Sequence, residues 1–178
     1  MRIFIASDHA GFDLKQRTYQ LLKSNFKFLS SFFLKKEEII KFIDYNDYVK
    51  NHDDNVVVDV GPYEKNNNDD YPDFAKRLCD KLIEVVPKSK TEKQNNFGIL
   101  ICGTGIGMCM VANRYEYIRA AVCKDEKDAE IARKHNNANV ICIGARKRKF
   151  NNSYNLMIYK FITTEYEGGR HDKRIEKF

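Results

Sequence analysis

Five short runs of apolar, largely β-branched residues recur along this chain of 178 residues, at Arg2 to Ser7, Val56 to Val60, Phe97 to Cys102, Ile118 to Cys123 and Asn139 to Ala145. They read as strands buried on both faces. Helical patterns lie between and after them. The clearest has Phe74, Leu78, Leu82 and Val86 recurring every four residues with Ala75, Cys79 and Ile83 beside them. Tyr154, Ile158 and Ile162, with Met157 and Phe161, repeat it near the end. Strands alternating with helices need crossover connections, which pack a parallel sheet between two helical layers. At this length one core suffices. The expected fold is α/β: a single Rossmann-like domain over residues 1–178, a three-layer αβα sandwich around a five-stranded parallel sheet.

Two stretches interrupt that order, 25–55 and 87–96, and both read as inserted surface segments. The first carries an apolar Phe26 to Leu34 segment, then Ile39, Ile40 and Ile43 at the spacing of a short helix; the second is rich in Lys, Asn and Gln. Lys65 to Asp70, with three consecutive Asn, reads as loop. Residues 167–178 form a terminal tail.

Several function classes are disfavoured at this point. The longest apolar runs are far too short to span a bilayer, and Arg2-Ile3-Phe4-Ile5-Ala6 lacks the features of a secretion signal, so the expectation is a cytoplasmic protein with no membrane partner. The five cysteines form no C-x-x-C pair, which argues for free thiols and against a disulfide frame or zinc site. A net charge of +6 raises the question of nucleic acid. The basic residues are scattered except for Arg146-Lys147-Arg148-Lys149 and carry no interleaved aromatic platform, so a solvated surface is preferred and no nucleic-acid partner is expected.

Ligands of open parallel sheets collect at the carboxyl ends of the strands. The third strand ends there in Cys102-Gly103-Thr104-Gly105-Ile106-Gly107-Met108, with three glycines at alternate positions after a cysteine. A dinucleotide fingerprint would need a third glycine where Met108 stands, although Asp125 lies about where a ribose-binding acid would; a Walker loop would need Gly-Lys-Ser/Thr and has none. The remaining reading is an oxyanion hole beside a reactive thiol. A cysteine ending a buried strand is by default a small core hydrophobe. Cys102, placed directly before a helix start that lowers a thiol pKa, favours catalysis; Cys79, Cys109, Cys123 and Cys142 lack that setting.

Other strand ends carry polar groups. Ser7-Asp8-His9-Ala10-Gly11 brings an acid and an imidazole to the edge occupied by Cys102, with helix capping as the competing reading. Asp70-Tyr71-Pro72 reads as a helix start. His135-Asn136 ends a helix just before the fifth strand, which puts it at the opposite edge of the sheet unless the loop folds over. Arg170 and Arg174, four apart in the tail, have the spacing to grip a phosphate, or are simply solvated.

Together these segments, with Gly98 to Gly107, Arg119-Ala120-Ala121-Val122-Cys123, Gly144-Ala145-Arg146 and Tyr166-Glu167-Gly168-Gly169-Arg170-His171, resemble the ribose-5-phosphate isomerase type B family, which also includes galactose-6-phosphate isomerase subunits. The resemblance implies a metal-free and cofactor-free aldose-ketose isomerase that interconverts ribose 5-phosphate and ribulose 5-phosphate through an enediolate. Cys102 is then the base, and Gly103, Thr104, Gly105, Ile106 and Gly107 form the anion-stabilising loop. His135 opens the furanose ring. Asn136 and Asp8 hold sugar oxygens, Tyr71 joins the substrate site, and His9, Arg146, Arg170 and Arg174 grip the phosphate. It further implies a homodimer whose neighbouring subunit donates the arginines. The alternatives are an isomerase of allose or galactose 6-phosphate, and a nucleotide- or sugar-phosphate-binding module without turnover.

Overall fold

The computed structural model describes residues 1–33 and 56–178, with side chains for residues 1–23 and from 56 onward. Its strands are β1 (Arg2–Ser7), β2 (Val56–Asp59), β3 (Asn96–Cys102), β4 (Ala120–Val122) and β5 (Val140–Gly144). All pair in parallel, in the order β2-β1-β3-β5-β4. The helices are α1 (Phe12–Phe33), α2 (Tyr71–Ile83), α3 (Ile106–Ala112), α4 (Glu126–Asn136), α5 (Asn152–Thr163) and, after a 3-10 turn at Gly169–His171, α6 (Asp172–Ile175). No described helix is long and apolar enough to cross a membrane.

Alternation along the buried strands makes the two outer layers. Ile3, Ile5, Ile99, Ile101, Ile141 and Ile143 face one way, onto residues of α1, α4 and α5. Phe4, Ala6, Leu100, Cys102, Val140 and Cys142 face the other, onto α2 and α3. The sandwich read from the sequence is therefore the observed fold. At β4 the strand is shorter than Ile118 to Cys123, because an edge strand has one neighbour: the Asn113 Oδ1 accepts the Ala120 N–H at 2.8 Å on its open side, and Asn139 Oδ1 accepts that of Arg119 at 2.8 Å.

The boundary at Asn25 moves. α1 runs on to Phe33, since nothing between residues 24 and 33 is Gly or Pro and no stop signal intervenes. The rest of that segment, including the helix expected at Ile39, Ile40 and Ile43, lies outside the described residues. Residues 87–95 are irregular, and the carbonyls of Lys90 and Glu92 accept from Asn137 Nδ2 at 2.9 and 2.8 Å. The tail is no free strand of charges, for Ile175 and His171 are buried and the Tyr166 hydroxyl donates to Asp172 Oδ1 at 2.7 Å.

One charged side chain of α1 points inward. Lys15 Nζ is buried and donates to both oxygens of Asp59 and to the Pro62 carbonyl, each at 2.7 Å. Burial pushes its pKa down, and the Asp59 hydrogen bond and charge oppose that. Removing one member of such a pair leaves the other uncompensated. Lys15→Met is expected to cost roughly 3–5 kcal/mol, read as a lowered urea midpoint at unchanged m-value.

Candidate active site

β1 and β3 are neighbours, and the chain leaves them toward opposite sides of the sheet, β2 beside β1 and β5 beside β3. The strand order thus reverses between their carboxyl ends, the position at which parallel sheets place ligands. The loop after β1 is pressed onto the end of β3: the Asp8 N–H donates to the Ile101 carbonyl at 3.2 Å, and a side chain at Gly11 would lie 2.2 Å from that oxygen. Asp8 Oδ1 accepts the Gly11 N–H at 2.9 Å, so its carboxylate shapes the turn while staying 6% exposed. Burial raises the Asp8 pKa, with the Gly11 hydrogen bond opposing it.

Cys102 ends β3 at 4% exposure, and its sulfur accepts the Gly105 N–H at 3.1 Å. That donor is available because Gly105 has a φ of 79°, a left-handed conformation that a side chain disfavours. Main-chain bonds fasten the loop to the exit of β5: Ala145 N–H to the Cys102 carbonyl at 2.8 Å and Arg146 N–H to that of Gly103 at 3.1 Å. Thr104 Oγ1 accepts the N–H of Ile106, the first residue of α3, at 3.3 Å. Two side chains lie on the loop. A Cβ at Gly103 would come within 2.8 Å of Arg146 Nε, and one at Gly107 within 2.6 Å of Tyr71 Cζ. Arg146 therefore stands at the same edge of the sheet as Cys102.

His9 extends from the same edge, and its partner was not read from the sequence. Asp69 Oδ1 accepts both the His9 N–H at 2.9 Å and Nδ1 at 2.7 Å. The hydrogen bond from Asp69 raises the His9 pKa, and the charge of Asp8 adds to it. Asp69 lies in the Asn-rich stretch assigned only to loop, where no local pattern announces a contact made 60 residues away.

The remaining candidates lie at the other edge. β5 begins at Val140, which pairs with Gly98, and ends at Gly144 beside Cys102, so α4 delivers His135 and Asn136 to the amino end. At about 3.3 Å per residue, β5 alone holds the two edges about 13 Å apart. His135 stacks on buried His171 with ring centroids 4.4 Å apart and planes at 12°. Arg170 and Arg174 are exposed beside it, Arg170 Nε donating to His171 Nε2 at 3.4 Å. A cavity of about 540 Å³ opens here, lined by Asn136, Arg119, Arg114 and Lys90 among others, with no residue of the glycine loop. Donor atoms of His135, Glu167 and His171 lie within 4.8 Å of one another. Parallel imidazoles cannot both aim in-plane lone pairs at one ion, so this group is not shaped as a metal site.

Asp125, the candidate ribose acid, caps α4 by accepting the N–H groups of Lys127 and Asp128 at 3.0 and 2.9 Å. Its carboxylate is thus committed to the helix start.

The model of the family described as Ribose/Galactose Isomerase matches residues 30–178. The chain belongs to that family. Among its relatives is a probable ribose-5-phosphate isomerase B of Mycoplasma genitalium, 39% identical over 98% of this chain and 91% of that protein. The crystal structure of ribose-5-phosphate isomerase B from the same organism, with bound ribulose 5-phosphate, superposes with a TM-score of 0.73 at 36% identity, covering 99% and 92% of the two chains. A ribose 5-phosphate isomerase from Thermotoga maritima gives 0.72 at 34%, covering 99% and 95%. These superpositions take in 99% of the chain, all five strands among it.

Proposed function

We propose that Cys102 moves the proton in an isomerase of ribose 5-phosphate and ribulose 5-phosphate. The observation that carries this reading is the sulfur at the end of β3, which receives the Gly105 N–H at 3.1 Å. Abstracting a proton next to a carbonyl needs a base and a donor set for the oxygen that gains charge. The thiolate takes the proton from C2 of the open-chain aldose. The C–H electron pair becomes the C1–C2 double bond of the enediolate, whose oxygen meets N–H groups of the Gly103 to Gly107 loop other than those of Gly105 and Ile106, which Cys102 and Thr104 already hold. Return of the proton to C1, with the hydroxyl proton passing from O2 to O1, leaves the ketose. Asp8 and Asn136 hold sugar hydroxyls, Tyr71 flanks the loop, and His9 with Arg146, Arg170 and Arg174 grips the phosphate.

Because His135, Asn136, Arg170 and Arg174 lie at the opposite edge from Cys102, we assign the complete site to a homodimer, each copy contributing one edge. The exposed side chains of Ile106 and Met110 on α3, beside the glycine loop, support a second copy packing there. Free thiols throughout the described residues support the cytoplasm as its compartment. No cofactor takes part in this scheme.

The test is a coupled assay of ribulose 5-phosphate formation from ribose 5-phosphate, run with and without a chelator, beside allose and galactose 6-phosphates. Turnover of the five-carbon sugar, unchanged by the chelator, is the expected result; turnover confined to a six-carbon sugar reassigns the substrate. His135→Asn is expected to slow the cyclic sugar by roughly a hundredfold or more, and an open-chain analogue much less. Equal losses on both would remove its ring-opening role.

A further inference from the structure

We infer that Asp69 is a positioning residue that holds His9 as a fixed cationic donor to the substrate's phosphate, an inference that rests on the isomerase reading above. One oxygen of Asp69 receives two hydrogen bonds from His9, the main-chain N–H at 2.9 Å and Nδ1 at 2.7 Å. A carboxylate only accepts, so Nδ1 carries the hydrogen and Nε2, across the ring, is left for a ligand. With backbone and ring both tied to the same atom, the imidazole has little freedom to swing. The carboxylate is itself held, by the Asp69 N–H donating to the Asn66 carbonyl at 3.1 Å in a turn that Asn66 Oδ1 closes by accepting from Asn68 at 3.0 Å.

The second oxygen, Oδ2, is buried with no hydrogen-bond partner among the described residues, and the Asp69 side chain is only 8% exposed. Burying a carboxylate with an unmet oxygen is costly unless a positive group compensates it. His9 is the ion-pair partner on hand. The charged groups that face the ring are Asp69 and Asp8, and both favour the imidazolium, outweighing a smaller loss of solvent. The three consecutive Asn before Asp69 thus belong to a loop that presents one carboxylate to one ring.

A charge-assisted hydrogen bond to phosphate is about twice as strong as a neutral one, so the benefit of Asp69 should depend on pH. Below the raised pKa the ring is cationic and holds the phosphate. As pH rises through that pKa the proton is lost and KM climbs, while kcat, set at Cys102, does not follow. Without the carboxylate the same climb begins at lower pH.

The experiment measures KM and kcat for ribose 5-phosphate between about pH 6.5 and 9, with the His9 ring titration followed by NMR, in the wild type, Asp69→Asn and Asp69→Ala. Asn keeps an acceptor and removes the charge; Ala removes both. For Asp69→Asn the expected result is a KM raised about tenfold near neutral pH with kcat within about twofold, and a His9 midpoint lowered by about one unit. Asp69→Ala should raise KM at least as far at an unchanged melting temperature. An unmoved His9 midpoint and KM profile in Asp69→Asn would overturn the inference, as would a loss confined to kcat. If the wild type does not isomerise ribose 5-phosphate, the functional reading fails, and the NMR midpoint alone still decides whether Asp69 controls His9.

Discussion

Cys102→Ala should melt within about 2–4 °C of the wild type and isomerise ribose 5-phosphate at least about a thousandfold more slowly. The two halves of that expectation have separate causes. Cys102 is buried at the end of β3 among Leu100, Met108 and Cys142, and deleting one sulfur there leaves a small cavity costing about 1 kcal/mol. The reaction, by contrast, loses the atom that carries the proton, and the donors of the glycine loop cannot remove it alone. Cys102→Ser is the sharper variant. It can still accept the Gly105 N–H, but a hydroxyl ionises far less readily than a thiol, so it should remain as inactive as the alanine form. A serine form with substantial activity would show that proton abstraction belongs to another group.

Mixing two inactive variants should restore activity. Cys102→Ala retains His135 and the tail arginines, while His135→Asn retains Cys102 and its loop. If each site draws one edge from each of two copies, a hybrid dimer assembles one wild-type site and one doubly damaged site. Random reassociation of equal amounts then recovers about a quarter of the wild-type sites. The readout is turnover after subunit exchange, with hybrid formation verified by mass. Verified hybrids without recovered turnover would mean that each chain closes its own site, which the strand register opposes by placing Gly144 beside Cys102 and His135 before the start of β5.

Much of this arrangement follows from pattern. Strands buried on both faces produce unbroken apolar runs, and the alternation Ile99, Ile101 against Leu100, Cys102 puts Cys102 on the face opposite the isoleucines, while the fold supplies the helices that cover it. The position of His135 at the far edge follows from its place just before a strand. Other features depend on contacts between distant segments. Asp69 looks like loop because its neighbours are Asn and Asp; only the fold brings it to His9. Lys15 sits in an ordinary helical sequence, and its burial depends on Asp59 at the end of β2 and on the Pro62 carbonyl beyond it. Arg146 could be grouped with Arg170 and Arg174 by charge, whereas the turn after β5 lays it on Gly103. The extension of α1 past Asn25 is the reverse case, in which the absence of any helix stop outweighed a change in composition.

The Cys102 edge is stitched by the backbone. Ser7 donates to the Gly61 carbonyl, Asp8 to Ile101, Ala145 to Cys102 and Arg146 to Gly103, all through main-chain N–H groups. Such links use no side-chain atom, although Gly61 and Gly103 among them leave little room for one. Side chains along this edge can therefore be exchanged over evolutionary time while the sulfur and its amide neighbours keep their places, and a lineage can change the sugar it accepts without reinventing its chemistry. A family whose name joins ribose to galactose is the outcome that such a scaffold permits.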